Sequence, residues 1–139
     1  MSRIVVDASV AAKWVLREQH AAMARQVLAT KELLAPHLLW AEVGNILWKH
    51  QRRRQSSTEE VRRMLAEFQR LPVTTFPHWP FLAAALDLAI SLEQTVYDCL
   101  YLALAEARDS VMVTADRRFY DAVIGSVWAD RILWIEDVT

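Results

Sequence analysis

The sequence predicts an α/β fold, a three-layer α/β/α sandwich around a central parallel β-sheet, in a single domain spanning residues 1–139. Short apolar runs rich in β-branched residues alternate along the chain with longer helical segments, which is typical of a parallel sheet covered on both faces. Hydrophobic residues make up 54% of the chain, with only two Gly and four Pro. That composition indicates a compact, well-packed globule rather than a disordered chain.

Five apolar runs are predicted to be strands. They are Arg3–Val6, Glu32–Pro36, Pro72–Pro77, Val111–Thr114 and Ile132–Ile135. The first run ends at Asp7, Ala8 and Ser9, which suits a strand that passes directly into a helix. Proline ends the second run and brackets the third, and the turn residues Asp109 and Ser110 precede the fourth.

Helices are predicted between and after these strands, at residues 10–16, 20–30, 37–51, 81–92 and 95–107, after Ser57, and from about residue 116. The segment 37–51 has its apolar residues at helical spacing, among them Leu39, Val43 and Leu47. Ser57 is followed three residues later by Glu60, which predicts a capping box at the start of a helix.

Composition limits the classes of function. The net charge is −1, so nucleic acid would have to be bound by a local basic patch rather than by overall attraction. The one cysteine, Cys99, excludes an internal disulfide and fits a reducing compartment. No signal peptide is evident, and the most apolar window, residues 81–92, is too short to span a membrane. We therefore expect a cytoplasmic protein without a membrane partner.

Four acidic residues close or interrupt apolar stretches: Asp7, Glu42, Asp98 and Asp116. Carboxylates are rarely buried unless they are paired or bind a cation. Asp7 and Asp116 each follow a predicted strand and should lie at the carboxyl edge of the sheet, where open parallel sheets bind ligands. Glu42 lies between Leu38 and Ile46 on an apolar row of its helix, where a charge is costly.

Each acid also has an ordinary structural interpretation. Asp7 and Asp116 suit helix N-caps, and Asp98 with Thr95 resembles a capping box with Asp in the place of Glu. A nearby Lys or Arg could neutralise Glu42. Considered together, however, four clustered carboxylates would repel one another unless a divalent cation neutralised them. Oxygen ligands without zinc-type Cys or His spacing point to Mg²⁺ or Mn²⁺. Ser9 and Thr114 could add hydroxyls, or could serve only as capping and strand-end hydrogen-bonding groups.

The segments around these acids resemble the PIN-domain family, and more narrowly the VapC-type toxins of bacterial toxin–antitoxin pairs. The matching segments are 4–9, 41–47, 97–105 and 114–119, and the resemblance runs from about residue 3 to residue 135. It implies a PIN-like parallel sheet and a metal-dependent endoribonuclease. By position it implies that Asp7, Glu42, Asp98 and Asp116 hold Mg²⁺ or Mn²⁺ as the catalytic site, with Thr114 beside the last acid. It also implies a homodimer and a small inhibitory antitoxin.

An RNA substrate would need cationic contacts, because phosphate neutralisation dominates affinity. Arg117 and Arg118 directly follow Asp116 and are the first candidates. Arg52 and Arg53 belong to the densest basic run of the chain, which is equally well explained as a solvated helix end.

Three other functions remain open at this stage. They are a PIN nuclease acting in RNA processing, one acting on DNA, and a catalytically silent binding module on the same fold. A phosphoacceptor receiver-like domain fits less well, because Asp7 has no acidic neighbour and Arg117 stands where a lysine would be expected.

Overall fold

The computed structural model describes residues 2–139 and contains one five-stranded parallel sheet. The strands are β1 (Arg3–Val6), β2 (Glu32–Pro36), β3 (Val73–Phe76), β4 (Val111–Thr114) and β5 (Ile132–Trp134). Their order is β3-β2-β1-β4-β5, with every neighbouring pair parallel. Strand order reverses between β1 and β4, so the switch point where such sheets bind ligands lies between the ends of these two strands.

Over residues 2–139, seven α-helices flank the sheet and confirm the predicted α/β class. They are α1 (Ala8–Ala11), α2 (Ala21–Thr30), α3 (Leu38–Arg52), α4 (Thr58–Phe68), α5 (Leu82–Leu92), α6 (Val96–Ala107) and α7 (Arg117–Ile124). Helix α6 packs against β1, β2 and β4 and is buried on all sides from Cys99 to Ala105. Short apolar strands and this helix form the centre of one hydrophobic core, and their burial is the main favourable contribution to folding.

The predicted capping box is present at the start of α4. The Ser57 hydroxyl accepts from the Glu60 backbone N–H at 3.1 Å, and the Glu60 carboxylate accepts from the Ser57 N–H at 2.9 Å. Both bonds satisfy N–H groups that the first turn of a helix leaves without partners. The prediction from residue spacing is therefore confirmed.

The predicted helix over residues 10–16 is wrong in its extent. Helix α1 begins at Ala8 and ends at Ala11, and a 3₁₀ turn follows over Ala12–Trp14. The indole N–H of Trp14 donates to the Ala24 carbonyl of α2 at 2.9 Å, and its ring packs 6.1 Å from that of Phe68. The buried Trp14 side chain thus lies at the point where the chain tightens into a 3₁₀ turn, which is a common way for a helix to end.

Two strands, β3 and β5, are also shorter in the structure than predicted. Pro72 and Pro77 lie outside β3, which is consistent with their lack of a backbone N–H for the ladder. Strand β5 ends at Trp134, and Ile135 begins a 3₁₀ turn. Over residues 2–139, no helix is both long and apolar enough to cross a membrane.

Candidate active site

Asp7 is held at the end of β1 by three hydrogen-bond donors. The backbone N–H of Val10 donates to its Oδ1 at 3.1 Å, as expected for a helix N-cap. The Ser9 hydroxyl donates to the same oxygen at 2.5 Å, and the buried Thr114 hydroxyl donates to Oδ2. The residue is only 5% exposed. The cap interpretation of Asp7 is therefore correct, but the two hydroxyls orient the group beyond what a cap requires.

Ser9 and Thr114 join the ends of the two strands at the switch point. Besides its bond to Asp7, the Thr114 hydroxyl accepts from the Asp116 backbone N–H at 3.1 Å. The Ser9 hydroxyl accepts from the backbone N–H of Ala115 at 2.9 Å. Both side chains thus act as positioning groups that fix the distance between the loop after β1 and the loop after β4.

Glu42 is positioned by a residue on another helix. It lies half-buried on α3, and its Oε1 accepts a hydrogen bond of 2.6 Å from the Tyr101 hydroxyl of α6. Tyr101 is fully buried, so the phenol approaches from the protein side and leaves the other face of the carboxylate toward the cavity. The predicted role of Lys or Arg in neutralising Glu42 does not apply, since its direct partner is a neutral donor.

Asp98 and Asp116 both lie at helix starts. The Asp98 N–H donates to the Thr95 hydroxyl at 3.1 Å, and that hydroxyl donates back to Asp98 Oδ2 at 3.1 Å. The expected capping box is therefore partial, because the reciprocal bond goes to the hydroxyl of Thr95 rather than to its N–H. Asp116 caps α7 by accepting from the N–H groups of Arg118 and Phe119 at 3.1 and 3.3 Å.

The four acids line one cavity of about 180 Å³. Its remaining walls come from Ala8, Ser9 and Ile46. Within residues 2–139, none of these carboxylates has a Lys, Arg or His nitrogen within 4 Å. Four carboxylates thus share a small space at the sheet's switch point without a cationic side chain to neutralise them.

Burial makes three of these carboxylates, those of Asp7, Glu42 and Asp98, harder to ionise. It raises the pKa of Asp7 to about 6, although Ser9, Thr114 and the Val10 N–H counteract part of the effect. Burial also raises the pKa of Glu42, opposed by the Tyr101 hydrogen bond and reinforced by the charge of Asp98. The pKa of Asp98 is raised by burial and then by the charge of Asp116, with the Thr95 hydrogen bond acting against both. Charge repulsion within the cluster thus adds to desolvation.

The donor set fits a hard divalent cation, although no preformed coordination shell is present. Over the described part of the chain, no three Asp, Glu, His or Cys side chains are arranged to hold a metal ion as they stand. Mg²⁺ commonly binds through one or two carboxylates and keeps several waters. An open cavity with oriented carboxylates therefore suits Mg²⁺ or Mn²⁺ better than a closed site made only of protein ligands would.

The four candidate arginines differ in their surroundings. The Arg117 guanidinium stacks 4.0 Å over the Trp134 ring and lies 3.9 Å from the Asp121 carboxylate. Arg118 instead lines a cleft beside Asp98 and Asp116. Arg52 stacks on Trp48, and Arg53 caps the end of α3, about 17 Å along the helix from Glu42. Of these four, Arg118 is the one placed next to the acids.

Tyr101 is the site residue that the sequence reasoning missed. A signal was present, because Tyr101 falls three residues after Asp98 and so lies on the same face of α6. Surrounded by Leu100, Leu102 and Leu104, it was indistinguishable from an ordinary core aromatic. Only the position of α3 shows what its hydroxyl contacts.

The sheet order and the carboxylate cavity define the class of protein. A five-stranded parallel sheet with four acids at its switch point matches the PIN-domain pattern, and residues 4–124 match the family directly. The chain belongs to the PIN-domain family.

Within the family the chain is similar to VapC ribonucleases. It is 36% identical to ribonuclease VapC9 of Mycobacterium tuberculosis, over 85% of this chain and 89% of the relative. It is 38% identical to ribonuclease VapC3 of Pyrobaculum aerophilum, over 84% of this chain and 91% of the relative. These relatives span nearly the same length and confirm the resemblance seen in the motifs.

Solved structures confirm the fold. The crystal structure of PAE2754 from Pyrobaculum aerophilum superposes with a TM-score of 0.70 at 24% identity, covering 97% of this chain and 92% of that one. The sarcin–ricin-loop-cleaving toxin VapC20 of Mycobacterium tuberculosis superposes with a TM-score of 0.65 at 16% identity, covering 90% and 97%. At these identities the likeness concerns the fold alone.

Proposed function

We propose that this protein is a metal-dependent endoribonuclease and the toxin of a VapBC-type toxin–antitoxin pair. It hydrolyses RNA phosphodiester bonds at the cavity lined by Asp7, Glu42, Asp98 and Asp116. The observation that carries the proposal is the meeting of four carboxylates in one small cavity where, over residues 2–139, no Lys, Arg or His nitrogen lies within 4 Å of any of them. Carboxylates gathered in this way need a divalent cation, which is also what phosphodiester hydrolysis needs.

The acids would hold Mg²⁺, or Mn²⁺ in its place. When bound, the cation would supply charge neutralisation at the phosphate and a lowered pKa for attacking water. Asp7, with a pKa near 6, is mostly ionised at neutral pH and available as a ligand. Ser9 and Thr114 hold its two oxygens, while Tyr101 holds one oxygen of Glu42.

Each residue's part follows from these contacts. Asp7 is the most rigidly held carboxylate and is proposed as a direct ligand. Glu42 and Asp98 are half-buried and can ligate or orient water, because each has an oxygen that its hydrogen bond leaves free. Asp116 uses its Oδ1 for the α7 cap, which leaves Oδ2 for the cavity. The acids would thereby hold the cation at the cavity, with their remaining oxygens available to orient water.

The proposed partners follow from the relatives. Curated relatives carry the name VapC ribonuclease, and a VapBC2 complex of Rickettsia felis, bound to a promoter DNA fragment, superposes with a TM-score of 0.61 at 14% identity. We therefore include a small inhibitory antitoxin in the proposal, and the resemblance to VapC-type toxins adds a homodimer. An RNA target would place the action in the cytoplasm.

The test of the reaction uses purified protein and structured RNAs. Cleavage is expected with Mg²⁺ or Mn²⁺, and EDTA should abolish it. Asp98→Asn should lower the rate by at least about 100-fold, because one carboxylate of the set is lost. The matched control is Asp87→Asn, an exposed aspartate on α5, which should cleave at the wild-type rate. Persistent cleavage in EDTA, or by Asp98→Asn, would show that another site or a contaminant acts.

Two further arms address the alternatives. A duplex and a single-stranded DNA of matched sequence test the DNA nuclease, which would cut them at least as fast as RNA. Regulated expression in a bacterial host tests the toxin, since growth should stop with the wild type and continue with Asp98→Asn. Rescue by co-expression of the protein encoded by a short upstream reading frame would support the antitoxin. A silent binding module predicts neither cleavage nor growth arrest.

A further inference from the structure

A second cleft adjoins the acid cavity on one side. It has a volume of about 300 Å³ and shares Asp98 and Asp116 with that cavity. The rest of its lining is Glu93, Gln94, Thr95 and Arg118. We infer that this cleft binds the nucleotide next to the scissile phosphate, with Arg118 contacting a phosphate and Gln94 contacting the base. The inference rests on the proposed ribonuclease function and specifies how that site would choose its substrate.

Arg118 has the position and the freedom that this role requires. Its backbone N–H is tied to Asp116 at 3.1 Å, so the residue is fixed at the rim of the acid cavity. Its guanidinium is exposed and, over residues 2–139, forms no ion pair within 4 Å. Arg117, one residue earlier, is instead engaged with Trp134, Tyr120 and Asp121. The guanidinium of Arg118 is therefore available to a ligand, whereas that of Arg117 is already engaged in contacts within the protein.

Charge explains why a cation is needed at this place. Glu93, Asp98 and Asp116 give the cleft a negative lining, which would repel the phosphates of a strand passing beside the metal site. Arg118 is the positive group of that lining. An arginine can meet a phosphate with two parallel hydrogen bonds, which makes it suited to hold one phosphate in register.

Gln94 is presented by a backbone segment that is anchored at both ends. Glu93, the residue that follows α5 and caps it, adopts a left-handed conformation with φ of 54° and donates its N–H to the Ala89 carbonyl. Thr95 caps α6 through the Asp98 N–H. A non-glycine residue at positive φ is held there at a cost by its surroundings. Gln94 therefore has little freedom to move away from the cleft.

The side chain of Gln94 can recognise a base. It is half-buried, and within residues 2–139 its side-chain amide makes no hydrogen bond. A primary amide offers a donor and an acceptor side by side, the pattern that base edges present. Sequence-specific recognition of RNA generally reads the edges of unstacked bases. A volume near 300 Å³ lies at the small end of ligand pockets, which suits one nucleotide rather than a duplex.

The test compares three variants with similar surfaces: Arg118→Gln, Gln94→Ala and the control Arg117→Gln. The substrate is an RNA that the wild type cleaves, prepared with each of the four bases at the two nucleotides flanking the cleavage point. Steady-state kinetics are measured at several salt concentrations, and thermal unfolding verifies that each variant is folded. Wild type and variants are also titrated with fluorescently labelled RNA in Ca²⁺ to measure binding without relying on cleavage.

The expected results separate phosphate contact from base contact. Arg118→Gln should raise KM by about tenfold for all RNAs alike, leave kcat within about twofold, and reduce the slope of log KM against log salt by roughly 0.7. Gln94→Ala should change the preference among the four bases by about tenfold at one of the two flanking nucleotides. Arg117→Gln should lower the unfolding temperature and leave KM, its salt dependence and the base preference unchanged.

Failure of the subsite and failure of the proposed function give different results. If the wild type cleaves RNA while Arg118→Gln and Gln94→Ala behave as Arg117→Gln does, the subsite is wrong and the ribonuclease stands. If the wild type cleaves no RNA, the ribonuclease proposal fails and the binding titration decides the subsite. Weaker binding by Arg118→Gln than by Arg117→Gln would then support it, and equal binding would overturn it.

Discussion

The hydroxyl of Tyr101 donates a 2.6 Å hydrogen bond to Glu42, which lines the acid cavity, and so joins α6 to α3. Burial and the negative charge of Glu42 raise the pKa of Tyr101, so the phenol remains a donor throughout the working pH range. Because this bond orients a carboxylate in the cavity, Tyr101 is a positioning residue for any cation the acids hold. Outer partners of this kind orient the groups that bind a metal ion, and their loss typically costs metal affinity or activity.

Tyr101→Phe should lower the affinity for Mn²⁺ by about 10- to 100-fold while kcat at saturating metal stays close to wild type. Isothermal titration and the metal dependence of RNA cleavage measure the two quantities separately. The matched control is Tyr97→Phe, which removes the same hydroxyl from an exposed tyrosine on the preceding turn of α6. If both substitutions changed the affinity equally, the hydrogen bond to Glu42 would have no specific part in metal binding.

Thr114→Val should impair both stability and activity. The substitution keeps the shape of a fully buried side chain but removes the hydroxyl that donates to Asp7 and accepts from the Asp116 N–H. Leaving such groups without partners costs about 1–3 kcal/mol, which denaturant unfolding can measure. Thr114→Ser keeps the hydroxyl and should recover most of the activity. Thr74→Val, on the exposed side of β3, is the control and should leave both quantities near wild type.

Asp7→Asn should stabilise the metal-free protein at neutral pH. The folded state raises the pKa of Asp7 from 3.8 to about 6, so it binds more protons than the unfolded state between these values. Stability of the wild type therefore falls as pH rises through this window, by at most about 3 kcal/mol. Asparagine removes that loss, although it satisfies the two hydroxyl donors less well, so a gain of about 1–2 kcal/mol is expected.

Thermal unfolding in EDTA at pH 7.5 and pH 4 tests this expectation. The gain from Asp7→Asn should be present at pH 7.5 and absent at pH 4, where the wild-type carboxyl is protonated in the folded state. Added Mg²⁺ should reverse the order at pH 7.5, because a bound ligand stabilises the wild type by about 2.7 kcal/mol at 100 times its Kd. A variant that is less stable than wild type in EDTA at pH 7.5 would contradict the assigned cost of burying this carboxylate.

Ser57→Ala tests a stabilising contact away from the site. It removes the hydroxyl that accepts from the Glu60 N–H at the start of α4, and loss of such a cap costs about 1 kcal/mol. The unfolding midpoint in urea should fall while RNA cleavage by the folded protein is unchanged. Ser56→Ala, one residue earlier and outside the box, should leave the midpoint within about 0.3 kcal/mol of wild type.

Local patterns predicted most of the elements correctly. Strands β1, β2 and β4 have the predicted bounds, and the Ser57–Glu60 box is present. Apolar runs, prolines and cap residues determine these features, and all of them act on residues nearby in the chain. They can therefore be recognised from the sequence. The end of α1 was mispredicted because it accompanies a contact between Trp14 and Ala24 on the next helix.

Of the four acids, the sequence by itself determined the identity and the local setting: three at helix starts and Glu42 on the flank of an apolar helix face. The tertiary structure decided that they line one cavity, since strand order is a choice among long-range pairings that local patterns do not encode. It also assigned the donors, because Tyr101 and Thr114 contact acids 59 and 107 residues away in the chain. The types of side chain at the site were therefore predictable from the sequence. Their meeting in one cavity depended on how the sheet and α6 bring distant segments of the chain together.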